Sequence, residues 1–315
     1  MLQSLLRSAR DRIRRLHLDL GNYHRTVLLA GTGRSGTTWV QDIINFDSSY
    51  RVMFEPFHSR RVEAVTEWNY RQYLRPGNRS EIFLKPATRI LSGRISHEWI
   101  DQFNRKRIAR KRLIKCIRAN LFLKWIKRNF PLIPIVLLLR HPCAVAHSKI
   151  KLAWDTHLQD FLIQDDLVAD FLAPFRERIE AAGDVFDRHI IMWCIENYVP
   201  LRRFRPGEIL VTFYEDICVD AETETRTILK FLGAETSTEV LRVVARPSAR
   251  SRQDSAIRSG ENLVSSWRKQ IAVKQIARAG EILTAFGLQA IYDSGDMPIV
   301  SGRDALSVLP PYREL

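Results

Sequence analysis

The sequence is poor in cysteine, with four in 315 residues, at 116, 143, 194 and 218. No two have CxxC spacing and no Cys/His group has zinc-site spacing, which excludes a zinc finger and a thioredoxin-like redox motif. Cys116, Cys143 and Cys194 lie in apolar runs and read as reduced core thiols, the usage of a reducing compartment. Eight scattered histidines form no HxxxH or HExxH set, so no metal is expected. Long apolar runs are missing too. None approaches the ~20 residues that span a bilayer. Arginines interrupt every apolar stretch from Met1 to Leu20, so no secretory signal is read there. Acidic residues fall short of basic ones, 35 against 49, leaving a net charge of +14. That imbalance suits an anionic partner: nucleic acid, acidic polysaccharide, an anionic membrane or a phosphorylated cofactor.

What is present is an ordinary globular composition, 45% hydrophobic, with a length that suits one large α/β domain. Leu2, Leu5, Leu6, Ala9, Ile13 and Leu16 share one helical face, with Arg7, Arg10, Arg14 and Arg15 around the rest. Residues 1–22 therefore read as a basic amphipathic helix, either packed on the domain or lying on an anionic membrane. Arg25 to Ala30 reads as a buried strand and Thr37 to Phe46 as a helix. Glu63 to Leu74 reads as a helical stretch and Ile82 to Leu84 as a short strand. A basic run, Arg105 to Arg112, leads into the apolar stretch Leu113 to Ile117, and Leu121 to Phe130 is helical in pattern. Ile135 to Leu139 is the clearest strand: five branched apolar residues in a row, as in a parallel sheet covered on both faces. Helices follow at Ala144 to Ile150, Asp187 to Arg203, Ala221 to Leu232 and Ile271 to Phe286, with a strand at Ile209 to Phe213. The alternation predicts a doubly wound α/β fold, its mainly parallel sheet flanked by helices, as a single domain over residues 23–293. Residues 294–315 read as an irregular tail.

The segment from Val27 to Trp39 carries the strongest chemistry: a strand, then Gly31-Thr32-Gly33-Arg34-Ser35-Gly36, then a helix opening with Thr37-Thr38. Glycines let the backbone approach an anion, and the N–H groups at a helix start bind phosphate. Gly31, Gly36 and Thr38 match the spacing of the P-loop GxxxxGK[ST], but Thr37 stands where its lysine belongs. The missing lysine argues against ATP or GTP hydrolysis. The positive charge sits at Arg34 instead, which suits a single 5′-phosphate with Arg34 over the group leaving it or arriving. A second anchor follows the clearest strand. Arg140 lies at its carboxyl end, where open α/β sheets place ligand groups, and Ser148 lies about two turns into the next helix. A guanidinium and a hydroxyl can converge on a second phosphate.

Arg34-Ser35-Gly36-Thr37-Thr38-Trp39 resembles the 5′-phosphosulfate loop of sulfotransferases that use 3′-phosphoadenosine 5′-phosphosulfate (PAPS). The segment from Arg140 to Ser148 resembles their 3′-phosphate element, with His141 at its variable position. The resemblance implies a P-loop-like fold with PAPS as co-substrate and no metal. Gly33, Arg34, Ser35, Gly36, Thr37, Thr38 and Trp39 would hold the 5′ side, with Arg34 on the sulfuryl group and Trp39 near the adenine. Arg140 and Ser148 would hold the 3′-phosphate. Phe213-Tyr214-Glu215-Asp216 is similar to the family's strand end and implies Tyr214 near the adenine, while Glu215 and Asp216 read as caps of the following helix. Arg258-Ser259-Gly260 before Trp267-Arg268 resembles the loop that closes over the 3′-phosphate, giving Arg258 and Gly260.

Sulfuryl transfer needs cations for the charge on the leaving oxygen and a base for the acceptor proton. The cations are Arg34 and, at the family's catalytic-lysine position, Lys115. The cytosolic branch has a histidine two residues further on; here that position is Ile117. Glu55, in Phe54-Glu55-Pro56, resembles the carboxylate base of some carbohydrate and bacterial members and is assigned that role, with a salt bridge to one of the arginines as its plainer reading. His58 and Lys85 are weaker alternatives with core or surface roles. The Glu-Pro segment, the absent histidine and the basic charge lean toward a carbohydrate or glycolipid acceptor, a polyanionic sugar lying along Arg105 to Lys111 and Lys124 to Arg128. The location read is cytoplasmic, with peripheral membrane contact through the N-terminus and no nucleic acid. Two rivals remain at this point: a P-loop-type small-molecule kinase, which should carry lysine at 37, and a non-catalytic polyanion or nucleic-acid binder.

Overall fold

The computed structural model describes residues 18–20, 22–235, 237–244, 262–310 and 312. Its strands are β1 (Leu18–Asp19), β2 (Thr26–Gly31), β3 (Arg51–Phe54), β4 (Ile108–Ala109), β5 (Arg112–Cys116), β6 (Ile135–Leu139) and β7 (Leu210–Phe213). β1 and β4 form a small ribbon, and the other five form one all-parallel sheet in the order β3-β5-β2-β6-β7. Alternation along the central strands divides the interior in two. Leu28, Ala30, Ile135, Leu137 and Leu139 point into the larger core, which includes residues of the helices Pro142–Ile150 and Val185–Arg203. Val27, Leu29, Val136 and Leu138 point into the smaller one, with residues of Thr37–Ile44 and Ala221–Phe231. Strands apolar at every position are what a sheet covered on both faces demands, and this is the doubly wound α/β architecture. Because every main strand runs the same way, Gly31, Phe54, Cys116, Leu139 and Phe213 end along one edge, where ligands bind in such sheets.

Five local expectations differ from the structure. Residues 1–22 read as a helix, but Leu18–Asp19 pairs with Ile108–Ala109 as a strand, and residues 1–17 lie outside the described ones. Glu63 to Leu74 forms only a 3₁₀ turn, Glu63–Val65. Past it the backbone is drawn to distant side chains instead of its own helix: the Tyr73 N–H donates to the Gln164 side-chain amide oxygen Oε1 at 2.7 Å. Ile82 to Leu84 lies inside the helix Glu81–Leu91, because three apolar residues do not distinguish strand from helix. β3 was not foreseen, since its first residue is Arg51, a charge buried by partners far away in sequence. Glu215 and Asp216 do not cap the helix after them; Asp220 does, accepting from the Thr223 N–H at 3.0 Å. The tail after 294 is irregular among its described residues, yet Ala305, Leu306 and Leu309 are buried in the larger core.

Candidate active site

The loop between β2 and the helix Thr37–Ile44 is held in a shape few residues adopt. Gly36 has φ +96° and Arg34 has φ +76°. The left-handed region costs a non-glycine residue of order 1 kcal/mol or more, which the surroundings must impose. Both donors of Ser35 turn inward onto the Thr32 carbonyl, N–H at 3.2 Å and Oγ at 2.6 Å, and this braces the turn. A Cβ on Gly33 would meet the Trp154 ring at 2.7 Å and Ile117 at 3.0 Å, so the loop runs tightly between them. Thr37 and Thr38 open the helix, where the first N–H groups have no partner within it. Trp39 is buried, edge-on to Tyr214 at 5.4 Å between centroids, with its indole N–H donating to the Val244 carbonyl at 3.2 Å.

The second anchor reaches the first. Arg34 Nε donates to Ser148 Oγ at 3.0 Å, and Arg140 Nη1 donates to the Arg34 carbonyl at 3.2 Å. Arg140 also lies over the Tyr214 ring, 4.1 Å from its centroid. The two anchors are thus cross-linked in one network. Arg140 Nε and Thr32 Oγ1 are buried without a hydrogen-bond partner. Orphan donors beside a helix N-terminus are the donor set that an anionic nucleotide requires, so these residues fit PAPS. His141, at the variable position, caps the next helix: its Nδ1 accepts from the Cys143 N–H at 3.3 Å. Its ring stacks on Trp267 at 4.4 Å, and its backbone N–H donates to the Glu215 carboxylate at 2.8 Å. Burial pushes its imidazole down to about 3, which keeps it neutral and able to accept.

Beside the loop, Glu55 closes β3 with φ +47°. Its buried carboxylate accepts from Lys115 Nζ at 2.7 Å, from the Ile117 N–H at 3.0 Å and from Arg118 Nη1 at 3.0 Å. Burial alone would raise its pKa, but Lys115 and Arg118 hold it below the usual carboxylate range. Lys115 also sits over the Phe54 ring at 4.4 Å. Ile117 joins the two halves: its N–H holds Glu55 and its side chain lines the space beside Gly33. His58 follows one turn on, its imidazole pushed down to about 4 by burial and by Arg118, with Nδ1 buried and unpartnered. Lys85 makes an exposed ion pair with Glu81 one turn before it on their shared helix, Glu81–Leu91.

Arg34, Arg140, Ser148 and Tyr214 thus converge, and Glu55 and Lys115 stand next to them. Arg258 and Gly260 lie outside the described residues. Sequence reasoning missed Arg118, Trp154 and Tyr70, whose hydroxyl accepts from Arg118 Nη2 at 2.5 Å. Arg118 was findable as a charge just past a strand's carboxyl end; nothing local marks the other two. Arg105 to Lys111 lies at the opposite, amino end of the strands, so a sugar chain there would not reach the loop. Lys124, on the other proposed stretch, pairs with Glu208 at 2.6 Å.

Among solved structures, the sulfotransferase domain of the curacin biosynthetic pathway is similar at 15% identity, over 86% of this chain and 98% of that one, with a TM-score of 0.47. A mouse sulfotransferase complexed with PAP matches at 14% identity over 84% of each chain, TM-score 0.42. Retinol dehydratase in complex with androsterone and the inactive cofactor PAP matches at 17%, over 87% of this chain and 82% of that one, TM-score 0.42. No curated protein matches by sequence. The model of the sulfotransferase family, however, matches residues 26–238, more than half of the chain and a span that includes both anchors and Glu55. The chain belongs to the sulfotransferase family.

Proposed function

We propose that this sulfotransferase moves the sulfuryl group of PAPS to a hydroxyl of a carbohydrate or glycolipid, with Arg34, Arg140 and Ser148 on the donor and Glu55 as base. The observation that supports the reading is the link from Arg34 to Ser148 and Arg140, which joins the two proposed phosphate anchors in one hydrogen-bond network. Gly33, Ser35, Gly36, Thr37 and Thr38 shape the loop around the 5′ side, and Trp39 and Tyr214 supply the aromatic wall. In the transfer the bond from sulfur to the phosphate oxygen breaks as the acceptor oxygen bonds to sulfur. Arg34 and Lys115 offset charge on the leaving oxygen. The acceptor's proton passes to Glu55, which its cationic neighbours keep ionised. His58 offers a second reading for the base, favoured by its neutral ring and unpartnered Nδ1. No helix among the described residues is long and apolar enough to cross a membrane. A cytoplasmic site of action, with the basic N-terminal segment against an anionic membrane, belongs to the same proposal.

Incubation with labelled PAPS and a panel of oligosaccharides, glycolipids, phenols and steroids tests it. Label on sugar hydroxyls is the expected result. Label confined to phenols or steroids would overturn the acceptor class, and label lost in His58→Gln but kept in Glu55→Gln would move the base to His58.

A further inference from the structure

The edge of the sheet opposite the phosphate loop carries a second built feature. A cleft of about 490 Å³ opens at the amino ends of β2, β3, β5 and β6, lined by His24, Arg25, Lys106, Ile108, Arg110 and Lys111 among others, and by no Asp or Glu. Lys106, Ile108 and Arg110 are spaced by two along the β4 segment and face the cleft, while Ala109 between them is buried. Among the described residues, Arg25, Lys106 and Arg110 have no carboxylate partner, whereas Asp19 on the inner face of the ribbon is taken up by Arg51 and Arg112. The outer face is apolar. Leu18 and Ile108 are cross-strand partners, and with Leu20 they are 57%, 63% and 58% exposed. Large aliphatic side chains held outward inside a ring of cations need a partner both anionic and apolar.

We infer that this amino-end face docks on an anionic lipid bilayer, with Leu18, Leu20 and Ile108 entering the headgroup boundary and the cleft cations holding a lipid phosphate. Charge decides among the occupants. A second copy of the face would bring cation against cation. So would the chain's own first 17 residues, which carry Arg7, Arg10, Arg12, Arg14 and Arg15 against one Asp. Their basic charge adds to the chain's attraction for an anionic surface. Nucleic acid would satisfy the cations but not three exposed aliphatic side chains. β2 spans six residues, roughly 20 Å, between this face and the phosphate loop. The docked protein therefore turns its transfer edge away from the bilayer, which among the proposed acceptors favours a carbohydrate over a glycolipid anchored in that membrane. The inference deepens the membrane contact of the proposed function and stands whether or not the transfer reading holds.

Flotation of the full chain with liposomes of phosphatidylcholine alone or with 30 mol% phosphatidylglycerol tests it. The expected result is binding to the anionic vesicles only. Lys106→Glu with Arg110→Glu should lower the partition coefficient roughly thirtyfold or more, and Ile108→Ser with Leu18→Ser should lower it at unchanged charge. Affinity for adenosine 3′,5′-bisphosphate should stay unchanged in both, which certifies their folding. Full binding by both double variants, with loss only on Arg10→Glu with Arg14→Glu, would overturn the face as the docking site. Binding to duplex DNA but not to anionic vesicles would overturn the lipid assignment.

Discussion

β3 and β5 carry a buried ionic cluster at each end, and the two clusters are built differently. At the amino ends, Arg51 donates to Asp101 and Asp19 and to the carbonyls of Gly93 and Ile95. Arg112 beside it donates to Thr26 Oγ1, Asp19 and the Asn22 carbonyl. None of these four charged groups is among the buried polar atoms left without a partner. At the carboxyl ends, Glu55 is saturated by Lys115, Arg118 and Ile117, but Arg118 Nε and His58 Nδ1 beside it have no partner. A saturated network locks strands together; a network with orphan donors and acceptors stores binding capacity for something else. Left-handed φ values occur on both sides, at Arg34 and Glu55 beside the carboxyl edge and at Ser48 before β3, so backbone strain does not separate the two ends.

Four substitutions or conditions sharpen that contrast. The largest effect is expected at the carboxyl end. Glu55→Gln should lower turnover by about 10²–10⁴ in initial-rate assays with PAPS, and unchanged turnover would remove Glu55 from the chemistry. The amino-end counterpart should fail in the other currency. Asp19→Ala leaves two buried guanidinium groups short of their shared carboxylate and should cost about 3–5 kcal/mol in urea unfolding, with nucleotide affinity intact in the folded protein. If Asp19→Ala were neutral in stability, the claim of a structural cluster would fall. Next comes Gly36→Ala. The new Cβ would stand 2.6 Å from the Tyr214 ring at φ +96°, which should cost about 1–3 kcal/mol and show as weaker nucleotide binding.

The smallest and most gradual effect is that of pH. His58 and His141 are held near 4 and near 3, below the ordinary 6.5, because burial disfavours their cations. As pH falls below about 6.5 the unfolded chain takes up protons that the folded chain refuses, so stability declines toward pH 4 and is full above neutrality. Urea midpoints at pH 7.5 and 5.0 should show the decline. His141→Asn, which keeps a side-chain cap acceptor, should lessen it.

Much of the fold and the glycine loop was legible because their signals are local. An unbroken run of five branched apolar residues marks β6, and glycine spacing with a missing lysine marks the loop. What escaped was set by partners distant in sequence. Arg51 begins a buried strand only because Asp19 and Asp101 neutralise it. Arg118 matters because Glu55, 63 residues earlier, lies under it. His141 gave no cap signal, since an imidazole caps only when burial keeps it neutral. The cross-link between Arg34 and Ser148 spans 114 residues and no spacing rule reports it.

Arg34 and Arg140 are proposed to grip opposite phosphates of one nucleotide. Calorimetric titration of adenosine 3′,5′-bisphosphate into the wild-type protein and Arg140→Ala tests this most directly. Loss of one charged hydrogen-bonding group should weaken binding roughly 10- to 100-fold. Equal affinity in the two proteins, or no binding by the wild type, would contradict it.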